Sequence, residues 1–244
     1  MTDKLIRLGM LTPSSNTVLE PITSEIISNY DNVSVHFGRL KVVEISLKDF
    51  ALDQFNIEPF MEAADLLADA KVDVIAWNGT SAGWLGFETD RKLCKAIQDE
   101  FGIPATTSTL ALSDALKAIG ATRIGLVTPY LDEIQNKIIS NFQEEGFDCV
   151  SEQHLRDPGN FSFSEITPEV IENMVREVAR DAPHAIAIFC TNLRGAPLVA
   201  PLERVLGMRI FDTVSVVVWK SLMLAGLDTR SIKGWGRLFE DEIV

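Results

Sequence analysis

Short apolar runs alternate with longer segments whose apolar residues recur at helical spacing, and the alternation continues along almost the whole chain. The runs cover residues 5–11, 33–37, 72–77, 103–106, 123–127, 186–189 and 208–211. They are rich in Val, Ile and Leu, as the strands of a parallel sheet are. Amphipathic helical patterns fill the intervals at 17–28, 59–70, 88–101, 110–119, 131–145, 168–181, 200–206 and 214–225. Strands alternating with helices predict parallel sheets covered by helices on both faces, an α/β architecture.

The pattern occurs twice. Ile6-Arg7-Leu8-Gly9-Met10-Leu11-Thr12-Pro13 is matched by Thr122-Arg123-Ile124-Gly125-Leu126-Val127-Thr128-Pro129. Val74-Ile75-Ala76-Trp77-Asn78-Gly79-Thr80-Ser81 is matched by Ala185-Ile186-Ala187-Ile188-Phe189-Cys190-Thr191-Asn192. Gly102-Ile103-Pro104 and the helix ending at Gly120 are matched by Gly207-Met208-Arg209 and the helix ending at Gly226. Three matches in the same order predict an internal duplication. The expected result is two doubly wound parallel-sheet halves related by pseudo-two-fold symmetry, spanning 1–115 and 116–227, with the tail 228–244 packing back on the first. No Gly/Ser/Pro-rich linker parts the halves, so tight packing is expected. Ligands of such sheets sit beyond the carboxyl ends of the strands. The loops at 13–16, 79–81, 129–130 and 190–192 are therefore expected to face one cleft between the halves.

Those loops carry the polar chemistry. Pro13, Ser14, Ser15 and Asn16 stand at the mouth of the first helix, where unpaired N–H groups and the helix dipole favour a carboxylate. Helix capping explains one or two of these residues, not the whole row. Gly79, Thr80 and Ser81 repeat the device after another buried strand, without the spacing and lysine of a phosphate loop and without GxGxxG, so no nucleotide cofactor is indicated. Cys190, Thr191 and Asn192 end the corresponding strand of the second half. Cys190 is either a small buried hydrophobe or a reactive thiol whose pKa a following helix N-terminus lowers. Gly79 holds the place of Cys190 in the other half, which makes the pair lopsided. Tyr130, at a strand end, is a packing residue or a hydrogen-bonding one.

Composition narrows the function. A chain of 244 residues with a formal charge of −13 and no basic patch is a poor partner for nucleic acid or an anionic membrane. A small anionic substrate then has to be held by local donors. Cys94, Cys149 and Cys190 are widely separated and form neither a disulfide framework nor a zinc cluster. His36, His154 and His184 lack metal or triad spacing, and no metal ligand set is expected. GxSxG is absent. No apolar span suits a membrane helix and no leader pattern is present, so a cytoplasmic protein is expected, with homo-oligomerisation compatible with the sequence. Residues 157–163 read as a long turn that either covers the cleft or forms a plain surface loop.

Taken in order, Pro13-Ser14-Ser15-Asn16-Thr17, Gly79-Thr80-Ser81, Thr128-Pro129-Tyr130-Leu131-Asp132-Glu133 and Cys190-Thr191-Asn192 resemble the aspartate/glutamate racemase superfamily. Within it, the likeness is to the arylmalonate decarboxylase and maleate cis-trans isomerase branch, over nearly the whole chain. Racemases of that superfamily move a proton with two facing cysteines, and the resemblance puts one at Cys190 and the other at Gly79, which carries no thiol. The resemblance therefore implies a decarboxylase-like enzyme without cofactor, acting on a small malonate-type diacid, with Cys190 as general acid. It implies that Thr80, Ser81 and Tyr130, with N–H groups near Ser81 and Thr191, stabilise an enediolate. The first loop is closer to isomerase-like members, whose asparagine contacts a carboxylate; a maleate isomerase-like or racemase-like isomerase is the first alternative. A non-catalytic carboxylate binder is the second.

Overall fold

A computed structural model describes residues 4–28, 30–42 and 55–241. Strands β1 (Ile6–Pro13), β2 (Val33–Leu40), β3 (Val74–Trp77) and β4 (Ala105–Thr107) form one parallel sheet in the order β2-β1-β3-β4. Strands β5 (Arg123–Thr128), β6 (Asp148–His154), β7 (Ala185–Ile188) and β8 (Arg209–Asp212) form a second in the order β6-β5-β7-β8. The chain is thus a two-sheet α/β fold whose sheets share one topology. Each sheet reverses its winding between its first and third strands, and a crevice opens there at the carboxyl ends. The four polar loops follow β1, β3, β5 and β7, the strands that flank those crevices.

The helices are α1 (Leu19–Ile27), α2 (Ile57–Asp69), α3 (Ala82–Leu85), α4 (Phe87–Phe101), α5 (Ser108–Ala118), α6 (Asp132–Glu144), α7 (Pro168–Val178), α8 (Ala196–Leu206), α9 (Thr213–Leu224) and α10 (Arg237–Glu240). Two sets of contacts join the halves: α9 packs on α1 and α5, and α3 packs on α6. Helix α9 is buried over most of its length, with Val214, Val216, Val217, Val218 and Leu222 fully buried and its one charged residue, Lys220, paired with Asp114 at 2.6 Å. A helix this apolar belongs in a core, and this one fills the seam between the sheets. At the other contact the Asn141 amide donates to Gly83 O at 2.9 Å. A Cβ at Gly83 would stand 2.5 Å from Phe189 Cε1, so glycine sets the approach of α3 to the second half.

Three expectations need correction. The tail keeps mostly to the second half: Arg209 pairs with Asp241 at 2.6 Å, and the Glu203 carboxylate accepts from Arg237 N at 2.7 Å. Its hydrogen-bonded link to the first half is Tyr30 Oη donating to Asp228 O at 2.6 Å, and residues 242–244 lie outside the described residues. Strand β6 is missing from the expected apolar runs, and the sequence places Cys149 only in an edge-like segment; half-buried Ser151 and Glu152 and exposed Gln153 give an edge strand no apolar run. Helix α8 begins at Ala196, before the expected 200, because Pro197 in the first turn removes an N–H that has no partner there anyway. Among the described residues no helix is long and apolar enough to cross a membrane.

Candidate active site

A small cleft of about 30 Å³, open on one side to solvent, lies where the loops converge. Pro13 and Asn16 line it from the β1 loop, Gly79, Thr80 and Ser81 from the β3 loop, Tyr130 from the β5 loop, and Cys190, Thr191 and Asn192 from the β7 loop. Among the described residues neither lysine nor arginine lines it. Hydroxyl, amide and indole groups and a single thiol remain, donors suited to carboxylate oxygens. Among the described residues no group of three or more His, Cys, Asp or Glu is arranged to hold a metal.

Thr80, Tyr130 and Cys190 form the centre. Thr80 Oγ1 and Tyr130 Oη are 2.7 Å apart in a buried hydrogen bond. The Tyr130 ring is set edge-on between Trp84 at 5.4 Å and Phe163 at 5.6 Å, which fixes where its hydroxyl points. Cys190 is 3% exposed, and burial pushes its thiol up to about 11. Hydrogen bonding from Tyr130 and from the N–H groups of Asn192 and Leu193 works against that rise, and the nearby Asp212 carboxylate adds to it. The expectation of a thiol activated by a helix N-terminus is therefore overturned. Helix α8 starts at Ala196, beyond a turn, and desolvation outweighs the donors. Tyr130 is likewise pushed well above the ordinary phenol value, first by burial and then by the neighbouring thiol. At neutral pH both groups keep their protons. Cys94 and Cys149, on α4 and β6 away from the cleft, are each raised to about 12 by burial.

The β3 loop is a donor surface. The N–H groups of Thr80 and Ser81 and the Ser81 hydroxyl make no hydrogen bond among the described residues, while the carbonyls of both residues accept from the turn that opens α3.

The β1 loop differs from expectation. Asn16 Oδ1 caps α1 by accepting from Val18 N at 2.9 Å and Leu19 N at 3.0 Å, and Thr17 N donates to Asn192 Oδ1 at 3.1 Å. The N–H groups of Thr17, Val18 and Leu19 at the helix mouth are thus taken by side chains and not by a ligand. Asn16 Nδ2 donates to Thr191 Oγ1 at 3.1 Å, whose hydroxyl donates to Asn78 O at 3.0 Å. That chain of bonds locks three loops together, with one Asn16 amide hydrogen left over for the cleft. Ser14 and Ser15 do not line the cleft. Ser14 Oγ accepts from Val42 N at 3.2 Å and Ser15 Oγ donates to Val42 O at 2.8 Å, so both brace the segment after β2. Arg39 holds the loop from outside through the carbonyls of Ser14 at 2.9 Å and Asn16 at 3.1 Å.

The structure adds residues that the sequence pattern does not single out. Asn160, 9% exposed, turns into the cleft, donates to Ser15 Oγ at 2.8 Å and accepts on its carbonyl from Asn192 Nδ2 at 2.7 Å. The 157–163 segment therefore covers the cleft instead of forming a plain surface loop. Val42, Phe55, Trp77 and Trp84 supply an apolar wall.

The chain and its fold have known counterparts. The family model described as arylmalonate decarboxylase matches residues 8–239. A maleate isomerase of Pseudomonas putida is 24% identical over 241 residues, covering 94% of each chain. An arylmalonate decarboxylase of Bordetella bronchiseptica is 24% identical over 188 residues, covering 76% of this chain and 78% of its own. Among solved structures, a cysteine-to-alanine variant of the maleate isomerase from Pseudomonas putida S16 with maleate superimposes with a TM-score of 0.89 at 20% identity, covering 98% of this chain and 99% of that one.

Proposed function

The chain belongs to the arylmalonate decarboxylase family, and on that premise we propose that it is a cofactor-independent lyase for a small malonate-type dicarboxylic acid, with Cys190 protonating an enediolate on one face. The observation that carries this reading is a lone protonated thiol beside a cluster of neutral donors, with glycine at position 79 where a second thiol would face it. One substrate carboxylate accepts from Thr80, Ser81 and Tyr130 and from the free N–H groups of Thr80 and Ser81. The other lies toward the apolar wall, where no described residue offers a cation to stabilise its charge, and leaves as CO₂. The electron pair of the broken C–C bond passes into the retained carboxylate, which becomes an enediolate. Donors already aimed at that oxygen need no reorganisation, and each contributes about 3–4 kcal/mol in sites of this type. Cys190 then gives its Sγ proton to Cα, and solvent returns a proton to the thiolate.

The Asn16 amide in the cleft and the maleate isomerase relatives favour a second reading, an isomerase. Thiol addition to an alkene needs the thiolate, which a pKa of about 11 keeps scarce at neutral pH. A panel of malonate, methylmalonate, phenylmalonate and maleate separates the two. The proposal expects CO₂ from a malonate and its loss in Cys190→Ala with the fold intact. Fumarate from maleate without CO₂ from any malonate supports the isomerase instead. Binding without turnover supports a carboxylate binder.

A further inference from the structure

Trp77 is the last residue of β3 and Gly79 follows two positions later, so on extended chain their side-chain directions share a face. A Cβ at Gly79 would stand 2.1 Å from Trp77 Cζ2, 2.3 Å from Cε2 and 2.7 Å from Nε1. The indole therefore occupies the volume that any side chain at position 79 would need. It is 1% exposed and held edge-on by Phe60 at 4.8 Å. In the second half Ile188 is the equivalent residue: Trp77 pairs with Leu11 on β1, and Ile188 pairs with Val127 on β5. The smaller isoleucine precedes a cysteine, and the larger tryptophan precedes a glycine. Volume has moved from the site position to the position beneath it.

The indole also carries an unexplained polar atom. Trp77 Nε1 is buried and has no hydrogen-bond partner among the described residues, although Trp77 lines the cleft and buried indole N–H groups usually find an acceptor. The atom lies beside the position a thiol at 79 would take.

We propose that Trp77 replaces the missing thiol: its indole excludes any side chain at position 79, and its Nε1–H is a donor to a carboxylate bound opposite Cys190. Trp77 is then a substrate-positioning and specificity-determining residue that commits the site to one-thiol chemistry. The donor's part in turnover rests on the decarboxylase reading; the packing and the carboxylate contact do not.

Two experiments test this. In a thermal-unfolding cycle, Gly79→Ala lowers Tm in the parent chain, and most of that loss disappears in a Trp77→Leu background. An equal loss in both backgrounds overturns the exclusion. In the second, ¹⁵N-labelled protein is titrated with malonate and with maleate, and the Trp77 indole signal is assigned by its absence from Trp77→Phe. The signal moves downfield with bound diacid, and Trp77→Phe binds about tenfold more weakly, the loss expected for one hydrogen bond to a charged group. Trp84 has a second indole N–H at the same cleft without a partner among the described residues, and its separate signal serves as the control. A Trp77 signal unmoved by both diacids, or unchanged affinity in Trp77→Phe, overturns the donor assignment. A shifted signal in a protein that releases no CO₂ from any malonate refutes the decarboxylase reading and leaves the assignment standing.

Discussion

Replacing Tyr130 by phenylalanine removes one oxygen from the centre of the cleft and little else. The ring contacts with Trp84 and Phe163 are kept, so the wall of the site stays packed. The Thr80 hydroxyl loses its 2.7 Å partner in a buried setting, a loss of about 1–3 kcal/mol in stability. Activity suffers more. If Tyr130 donates to the developing enediolate, its removal costs about 3–4 kcal/mol of transition-state stabilisation, or a fall in kcat of roughly 10²–10³. Cys190 changes as well: the hydrogen bond from Tyr130 opposes the rise of its pKa, so the thiol in Tyr130→Phe titrates above its present value of about 11. The assays are CO₂ release at saturating diacid, iodoacetamide alkylation across alkaline pH, and urea unfolding. A variant with parental kcat, or a Cys190 that becomes easier to ionise, refutes the reasoning.

Alkylation of native Cys190 should accelerate as pH rises toward about 11, with denaturation restoring ordinary thiol reactivity; a fast-reacting Cys190 at pH 7 contradicts the burial argument. Gly83→Ala forces a Cβ to within 2.5 Å of Phe189 Cε1 and should cost about 1–3 kcal/mol, read as a lower Tm. Asp90 and Asp212 are buried with carboxyls raised to about 7 by desolvation, so the folded state holds protons that the unfolded chain gives up near pH 4. Their contribution to stability is complete below about pH 4 and is lost as pH rises through about 7, on the order of a few kcal/mol for each group. Urea unfolding should therefore show less stability at pH 8 than at pH 5. Asp212→Asn keeps an oxygen to cap Val214 and Ser215 and should reduce that slope; an unchanged slope removes Asp212 from the explanation.

The duplication was legible because it is written in local pattern: the apolar octapeptide that becomes β1 returns as β5, and neighbouring residues alone reveal it. The same holds for Gly79, Thr80, Tyr130 and Cys190, which directly follow buried strands. What stayed hidden depends on partners far away in sequence. Asn160 joins the site through Ser15, 145 residues earlier, and Ser14 and Ser15 turn from the cleft because Val42 offers backbone groups to them. β6 hid for a different reason, since an edge strand carries polar side chains and no apolar run. The thiol was misjudged because sequence shows a helix that follows but not how deeply the cysteine is buried. Trp77 was readable in principle, two places before a glycine on a strand of period two, yet only the ring geometry shows that it fills the glycine's space.

The most direct measurement follows a carboxyl-¹³C-labelled methylmalonate in deuterated water by NMR, with the parent chain and Cys190→Ala side by side. The account predicts one CO₂ released and one deuterium gained at Cα for each turnover, a single product enantiomer when the diacid is prochiral, and no turnover without the thiol. Turnover that survives in Cys190→Ala, or deuterium entering a substrate that loses no CO₂, contradicts it.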